Sequence, residues 1–419
     1  MTSCKFSLTD KQVLMPPKFN LPDEKRLLEC AEIKFHHSIS EVTEVWDDFV
    51  PEHRTFLRSP YLRGLEIAPP KNMQTCHISF SLDNQMLGVA HCQIQHYRGD
   101  EPFNDDQLAQ STRFYDKAKT AIQKLITRQI RVNVMVCGSL LLTGEQGFYF
   151  HPKVNPEIAS HLLYKGLEKA SEEMTKRGKR ISLFVLKDFF EPTEKILTPV
   201  FAPQKFYKFN AQPTMLLEIP HEWRSFDDYL AAMSSKYRVR VKRAFKKGKN
   251  IVRKELNLQE IEENKEQIFD FYQNVANKAV FNTFTFTPEY FPEIKRQLGD
   301  KLKFIACYIE DKFVGFYTTI QNGNELDAHF LGLDYQVNRS NQLYLNMLYD
   351  MVRIGIDTGA HQITFSRTAL EIKSSIGAAP QDLFLYARHR NCIANLFVKY
   401  FITAFAPKEE WVQRRPFKT

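Results

Sequence analysis

The stretch KFIACYIEDKFVGFYTTIQNGNELDAHFLGLDYQVNRSNQLYLNMLYDMVRIGIDTGAHQITFS, residues 303–366, decides the fold. KFIACYIE (303–310) and FVGFYTTI (313–320) are β-rich runs flanking Asp311-Lys312, which reads as a hairpin. ELDAHFLGLDY (325–335) supplies the following strand. QLYLNMLYDMVRIGIDTG (342–359) repeats its apolar residues at helical spacing and ends at Gly359. QITFS (362–366) is the next strand.

The same order occurs earlier in the chain. CHISFSL (76–82) and MLGVAHCQIQ (86–95) surround the turn pair Asp83-Asn84. A polar, helix-like insert covers roughly 104–128, and VNVMVCGSLLLTG (132–144) is a long apolar strand segment. EIASHLLYKGLEKASEEMTKRG (157–178) sets Ile158, Leu162, Leu163, Leu167 and Ala170 at helical spacing, with Pro156 in the first turn and Gly178 at the end. ISLFVL (181–186) closes the series. Two passes through one pattern predict an α/β (α+β) protein of two tandem domains, each a mixed central sheet flanked by helices. Duplication explains this simply; two unrelated tandem α/β domains are the alternative. The boundary falls near Pro220, after the strand-like TMLLEIP, which gives an extension 1–39, a first domain 40–220 and a second 221–419.

Composition narrows the class. A chain of 419 residues exceeds one ordinary compact domain, and 43% apolar with 25% charged residues is globular rather than disordered. No stretch approaches the roughly 18 apolar residues of a spanning helix. The first residues lack a basic region followed by an apolar run, so a cytoplasmic protein is expected, with peripheral attachment to the inner face of a membrane left open. The cysteines number seven, and none stand two to four apart, which suggests neither a disulfide framework nor a zinc site. His91 and His96 fall on opposite faces of one strand, so no shared metal is expected there. No metalloprotease helix, phosphate loop or serine-hydrolase elbow occurs.

The net charge of +8 is unevenly spread. From Lys236 to Lys254, KYRVRVKRAFKKGKNIVRK carries ten Lys or Arg and no acid. As a helix it places Tyr237, Val241, Ala244 and Phe245 on one side, leaves the charges outward and ends at Gly248. A solvated charged helix is the plain reading. Anionic lipid, an acidic carrier protein and, less favoured, tRNA are the partners such a block would take.

Several segments together resemble a known family. FLRSPYLRGLE (56–66), the basic helix SSKYRVRVKRAFKKG (234–248), HFLGLDY (329–335) before a long helix, and SRTALEIKSSIGAAP (366–380) are similar in kind and order to segments of tandem GNAT-like acyltransferases. The resemblance is to Fem-type peptidoglycan-bridge transferases and to bacterial GNAT-like N-acyltransferases such as the ceramide synthase group. NCIANLFVKYF (391–401) resembles a GNAT helix pattern. The resemblance implies a bacterial N-acyltransferase moving an acyl group from acyl-CoA or an acyl carrier protein to an amine, including a long-chain amino lipid. An aminoacyl-tRNA-dependent peptidoglycan-bridge transferase and a non-catalytic scaffold are the alternatives. The sequence departs from acetyl-CoA-using members at HPKVNPEIAS (151–160) and DYQVNRSNQLY (334–344), which lack the glycine loop that cradles a diphosphate. A carrier protein, an aminoacyl-tRNA or a differently held acyl-CoA fits better. Fem-type proteins commonly carry a longer helical arm for tRNA, and no extended coiled-coil pattern is visible.

Amide formation needs a proton acceptor for the amine and a stabiliser of the oxyanion. Strict alternation places Asp327, His329, Leu331 and Leu333 on one strand face, so His329 is the expected base with Asp327 orienting it. A hydrogen-bonded histidine packed in the sheet is the alternative. Tyr335, at the strand's end, is a candidate proton donor to the leaving group or a packing residue. Gly332 marks a close backbone approach, which by analogy with the fold is where a carrier arm would pair. Arg367 and Lys373 are candidates to hold a phosphate or carboxylate, and Glu371 is a rival base; local ion pairs on a solvated segment are the alternative.

Overall fold

The computed structural model describes residues 23–98, 131–210, 212–278, 284–405 and 411–418. The expected insert at 104–128 and most of the extension 1–39 lie outside the described residues. The strands are β1 (Glu32–His36), β2 (Met73–Leu82), β3 (Gln85–Arg98), β4 (Arg131–Cys137), β5 (Phe148–Phe150), β6 (Leu183–Phe189), β7 (Tyr207–Asn210) and β8 (Thr214–Glu218). They continue with β9 (Val252–Glu255), β10 (Leu302–Ile309), β11 (Lys312–Asn322), β12 (Glu325–Leu333), β13 (Gln362–Thr364), β14 (Ala379–Gln381) and β15 (Phe384–His389).

Local chemistry accounts for most boundaries. The β2–β3 hairpin turns on Asp83 and Asn84, both at positive φ, the primed turn that matches strand twist. The β10–β11 turn uses Glu310 and Asp311 at positive φ, so Lys312 begins β11 rather than completing the turn. Helix Pro156–Lys176 starts on the Asn155 side chain, with proline at its first position. The apolar run from 132 ends as a strand at Cys137, because Gly138 adopts φ +129° and turns the chain into a loop.

Two mixed sheets result, flanked by helices. The first runs β1-β2-β3-β4-β6-β15-β7, the second β9-β10-β11-β12-β13-β8-β14. Each contains a parallel pair at the same place, β4 with β6 and β12 with β13, and the remaining ladders are antiparallel. The sixth place of each sheet is filled from the other pass. β8, which precedes residue 220, lies between β13 and β14; β15, near the C-terminus, lies between β6 and β7. A single cut at Pro220 therefore divides the sequence passes but not the sheets.

The core between the sheets is shared in the same way. Trp46, Phe56, Tyr61, Leu62 and Leu142 from the first pass pack in one cluster with Phe271, Phe286, Tyr290, Phe304 and Phe316 from the second. Helix Ser59–Ile67 crosses helix Tyr290–Leu298 tightly, since a Cβ at Gly64 would stand 2.8 Å from Ile294.

Gly332 has a related role. A Cβ there would lie 2.5 Å from the backbone of Phe271 and Tyr272, so helix Lys265–Ala276 occupies the close approach that the sequence assigned to a carrier arm. Gly332→Ala should cost about 1–3 kcal/mol by overpacking, read as a lowered Tm in thermal unfolding. An unchanged Tm would mean that the helix does not seat there.

Candidate functional site

Strand β12 is where regular alternation fails. Tyr317 opposes Leu331 and Thr319 opposes Ala328, so His329 and Phe330 together face the single residue Thr318. This bulge sends Asp327 and His329 toward the inter-sheet layer, while Leu331 and Leu333 join the cluster on the other face. The expected common face of Asp327, His329, Leu331 and Leu333 is thus split by one extra residue.

His329 is fully packed. Its Nε2 lies 2.9 Å from the Tyr290 hydroxyl and its Nδ1 3.2 Å from Thr318 Oγ1. Thr318 Oγ1 donates to the Phe330 carbonyl and accepts the Phe330 N–H, each at 3.0 Å. The arrangement that satisfies every group protonates Nδ1 and lets Nε2 accept from Tyr290. Burial pulls the imidazole down to about 3. It stays neutral through the physiological range and is a poor proton acceptor, unlike the nearly unperturbed base expected from sequence.

Asp327 and Lys373 are perturbed in the useful direction. Burial, then the neighbouring Glu325 carboxylate, pushes Asp327 up to about 8 against the pull of Lys373. Burial brings Lys373 down to about 7, opposed by Asp327. Both groups therefore change charge close to neutrality, which is what proton transfer requires. Asp327 Oδ1 is buried without a hydrogen-bond partner among the described residues. Beside it stands Tyr61, whose buried hydroxyl is without a hydrogen-bond partner among the described residues. Gln93 accepts the Leu140 N–H at 2.7 Å and leaves its Nε2 unpaired. Such a set of buried, unpaired polar atoms marks groups that meet water or a bound molecule.

Beside this layer the chain leaves β13 through a strained loop. Ser366, Thr368 and Ala369 all hold positive φ, as does Asp188 at the end of β6. Lys373 Nζ donates to the carbonyls of Phe365 at 2.5 Å and Arg367 at 2.6 Å, which clamps the loop. Arg367 donates Nε to the Gln212 carbonyl at 2.8 Å and both terminal nitrogens to the Asp188 carboxylate. Lys187 completes the cluster, bonded to Asp188 and, at 2.8 Å, to the Leu142 carbonyl. Arg367 thus does hold a carboxylate, but the protein's own. Burial alone would raise Asp188; Lys187 and Arg367 outweigh it and hold the group below the ordinary carboxylate range.

The other sequence candidates stand apart from Asp327. Glu371 is half exposed and paired with Arg414, Nε to Oε1 at 3.0 Å. Tyr335 begins helix Tyr335–Asn341, with Lys278 Nζ 3.2 Å from its ring centre. Helix Ser235–Lys247 presents Lys236, Arg240, Lys242, Arg243, Lys246 and Lys247 to solvent, and none has a carboxylate partner among the described residues, while Val241 and Ala244 are buried as expected. Sequence reading missed Lys187, Asp188, Tyr61 and Tyr290. The available signal was KDFF, an adjacent cation and acid closing an apolar strand. Where acetyl-CoA users keep a glycine cradle, Asp334 caps the helix N-terminus by accepting the Gln336 N–H at 2.8 Å, and Asn155 does so in the first pass. A carboxylate at that place repels a diphosphate. A surface depression of about 540 Å³ along helix Pro156–Lys176, lined by Tyr164, Lys169 and Glu173, holds none of these groups.

These features define a tandem GNAT-type fold with a polar layer between its sheets. Residues 158–357 match the FemAB-like family, described as peptidoglycan biosynthesis/recognition, and the chain is similar to that family there. No curated protein matches the sequence. Among solved structures, FemX aligns over 83% of this chain and 98% of its own, with a TM-score of 0.52 and 11% identity. A tandem GNAT protein of the clavulanic acid pathway covers 86% and 99% with TM-score 0.46 and 9% identity. The L-PGS of Bacillus licheniformis covers 86% and 99% with TM-score 0.41 and 10% identity.

Asp188→Ala leaves Arg367 and Lys187 without their carboxylate and should cost about 3–5 kcal/mol in thermal unfolding. Because the folded Asp188 is depressed, its contribution is complete above the unfolded carboxylate range near ~4 and is lost as pH falls through the folded value. Asp188→Asn should accordingly flatten the acid limb of a Tm-against-pH curve. A variant that melts with the parent at every pH would dismiss the cluster as a latch.

Proposed function

We propose that this protein is an amide-forming transferase that moves an aminoacyl group from tRNA to an amine of a peptidoglycan precursor, with Asp327 as the proton acceptor. The observation that carries the donor assignment is the outward cationic face of helix Ser235–Lys247, inside the family-matched region and free of carboxylate partners among the described residues. A polyanionic donor suits such a face. The Asp334 carboxylate cap in place of the glycine cradle weighs against a conventionally held coenzyme A. An acidic acyl carrier protein would use the same cationic face, and acylation of a long-chain amine is the second reading on that ground.

In the reaction the amine nitrogen attacks the ester carbonyl, a C–N bond forms and the C–O bond to the ribose breaks. Asp327 takes the proton that the amine loses, and the proton ends on the departing ribose oxygen. The hydroxyl of Tyr61, without a partner among the described residues, would meet the polar reacting groups beside Asp327. His329 and Tyr290 serve as the rigid wall behind Asp327.

The test is mass spectrometry of muropeptides and of N-acylated lipids from cells lacking the protein, carrying it, or carrying Asp327→Asn. Loss of an aminoacyl branch in both the null and the variant is expected. Loss of an N-acyl lipid instead moves the donor to acyl carrier protein, and unchanged profiles of both overturn the proposal. With purified components, kcat/KM should rise with pH through about 8, the ionisation of Asp327. Asp327→Asn should remove that limb and lower the rate by about 10²–10⁴, whereas Glu371→Gln should match the parent.

A further inference from the structure

The C-terminal helix Cys392–Phe405 carries the one long run of exposed apolar side chains among the described residues. Ile393, Leu396, Phe397 and Tyr400 are 67%, 63%, 56% and 72% exposed. Their spacing of three, four and seven puts them on one side of the helix. The remaining large exposed apolar residues, such as Val45, Ile67, Val239 and Val252, stand singly on separate elements. A lone exposed aliphatic is ordinary, but a stripe is not.

The helix is held with that stripe outward. Asn395 and Val398 are buried on its inner side. Asn395 accepts the His389 N–H at 2.7 Å and donates to the Lys205 carbonyl at 3.0 Å. The exchanged strand β15 and the segment entering β7 thereby fix how the helix is rotated. Exposed cations flank the stripe: Arg390 just before the helix, Lys399 on it and Lys205 beside the Asn395 contact, while Arg388 is turned inward and paired with Glu168.

We propose that this helix is a surface anchor that lays its apolar stripe into an anionic lipid bilayer. An apolar face flanked by cations is what an interfacial helix needs, since apolar burial and attraction to anionic headgroups each contribute only weak binding alone. A second copy of the chain is the poorer occupant, because a two-fold pairing of this face would bring Arg390 and Lys399 against their own equivalents. No described helix is long and apolar enough to cross a membrane, so the contact is along the surface. The anchor is independent of the reaction proposed above and of the cationic helix Ser235–Lys247.

The full chain should co-sediment with vesicles of phosphatidylcholine containing a quarter phosphatidylglycerol, and far less with phosphatidylcholine alone. Leu396→Ser/Phe397→Ser should weaken that binding by about tenfold or more, with an unchanged melting curve because both positions are exposed. Lys242→Ala/Arg243→Ala should retain most of it. The proposal is overturned if the parent binds neither vesicle, or if the stripe variant binds like the parent. It is equally overturned if only the variant at 242 and 243 loses binding, or if light scattering shows a parent dimer that the stripe variant dissociates.

Discussion

Arg367 is the residue on which the two sheets are joined. Its guanidinium holds the Asp188 carboxylate at the end of β6 and the Gln212 carbonyl between β7 and β8, while its own backbone leaves β13. Of these points, the segment at Gln212 is where the chain passes from the first sheet to the second, and the ion pair ties the end of β6 in one sheet to the end of β13 in the other. Desolvating Asp188, Arg367 and Lys187 together is expensive, and the cluster is tolerable only because each charge finds its partners. The same segment holds three consecutive-region strains, at Ser366, Thr368 and Ala369, offset by the Lys373 clamp. Such concentrated strain belongs to a position that the surrounding fold over-determines.

The exchange of β8 and β15 has consequences for the site. Because neither sheet is complete without a strand from the other pass, the sheets cannot separate without breaking ladders on both sides. The layer between them is therefore closely packed. That burial raises Asp327, lowers Lys373 and silences His329 chiefly by one physical cause, the cost of charge in a low-dielectric interior. The bulge at His329–Phe330 decides which side chains receive that treatment.

The elements were legible wherever the information is local. Asp83-Asn84 specified its turn, Pro156 and Gly178 bounded their helix, and Val241 and Ala244 marked the buried side of the cationic helix. Sheet membership was not legible, because TMLLEIP reads as a strand whichever neighbours it pairs with, and Phe384–His389 gave no alternating pattern to notice. The site was legible in part. Asp327, Arg367 and Lys373 were recognised as chemically important, but their roles depend on burial and on Asp188, which lies far away in sequence. His329 illustrates the limit: an imidazole on a strand reads as a base until the bulge and Tyr290 enclose it.

The most direct measurement is to produce residues 1–220 and 221–419 separately and together, and to follow each by size-exclusion chromatography and thermal unfolding. If the sheets are interlocked by exchanged strands, neither half alone unfolds cooperatively, and the two co-expressed halves purify as one complex with a single transition. A soluble monomeric half with its own sharp transition would contradict the interlocked fold and the enclosed site that rests on it.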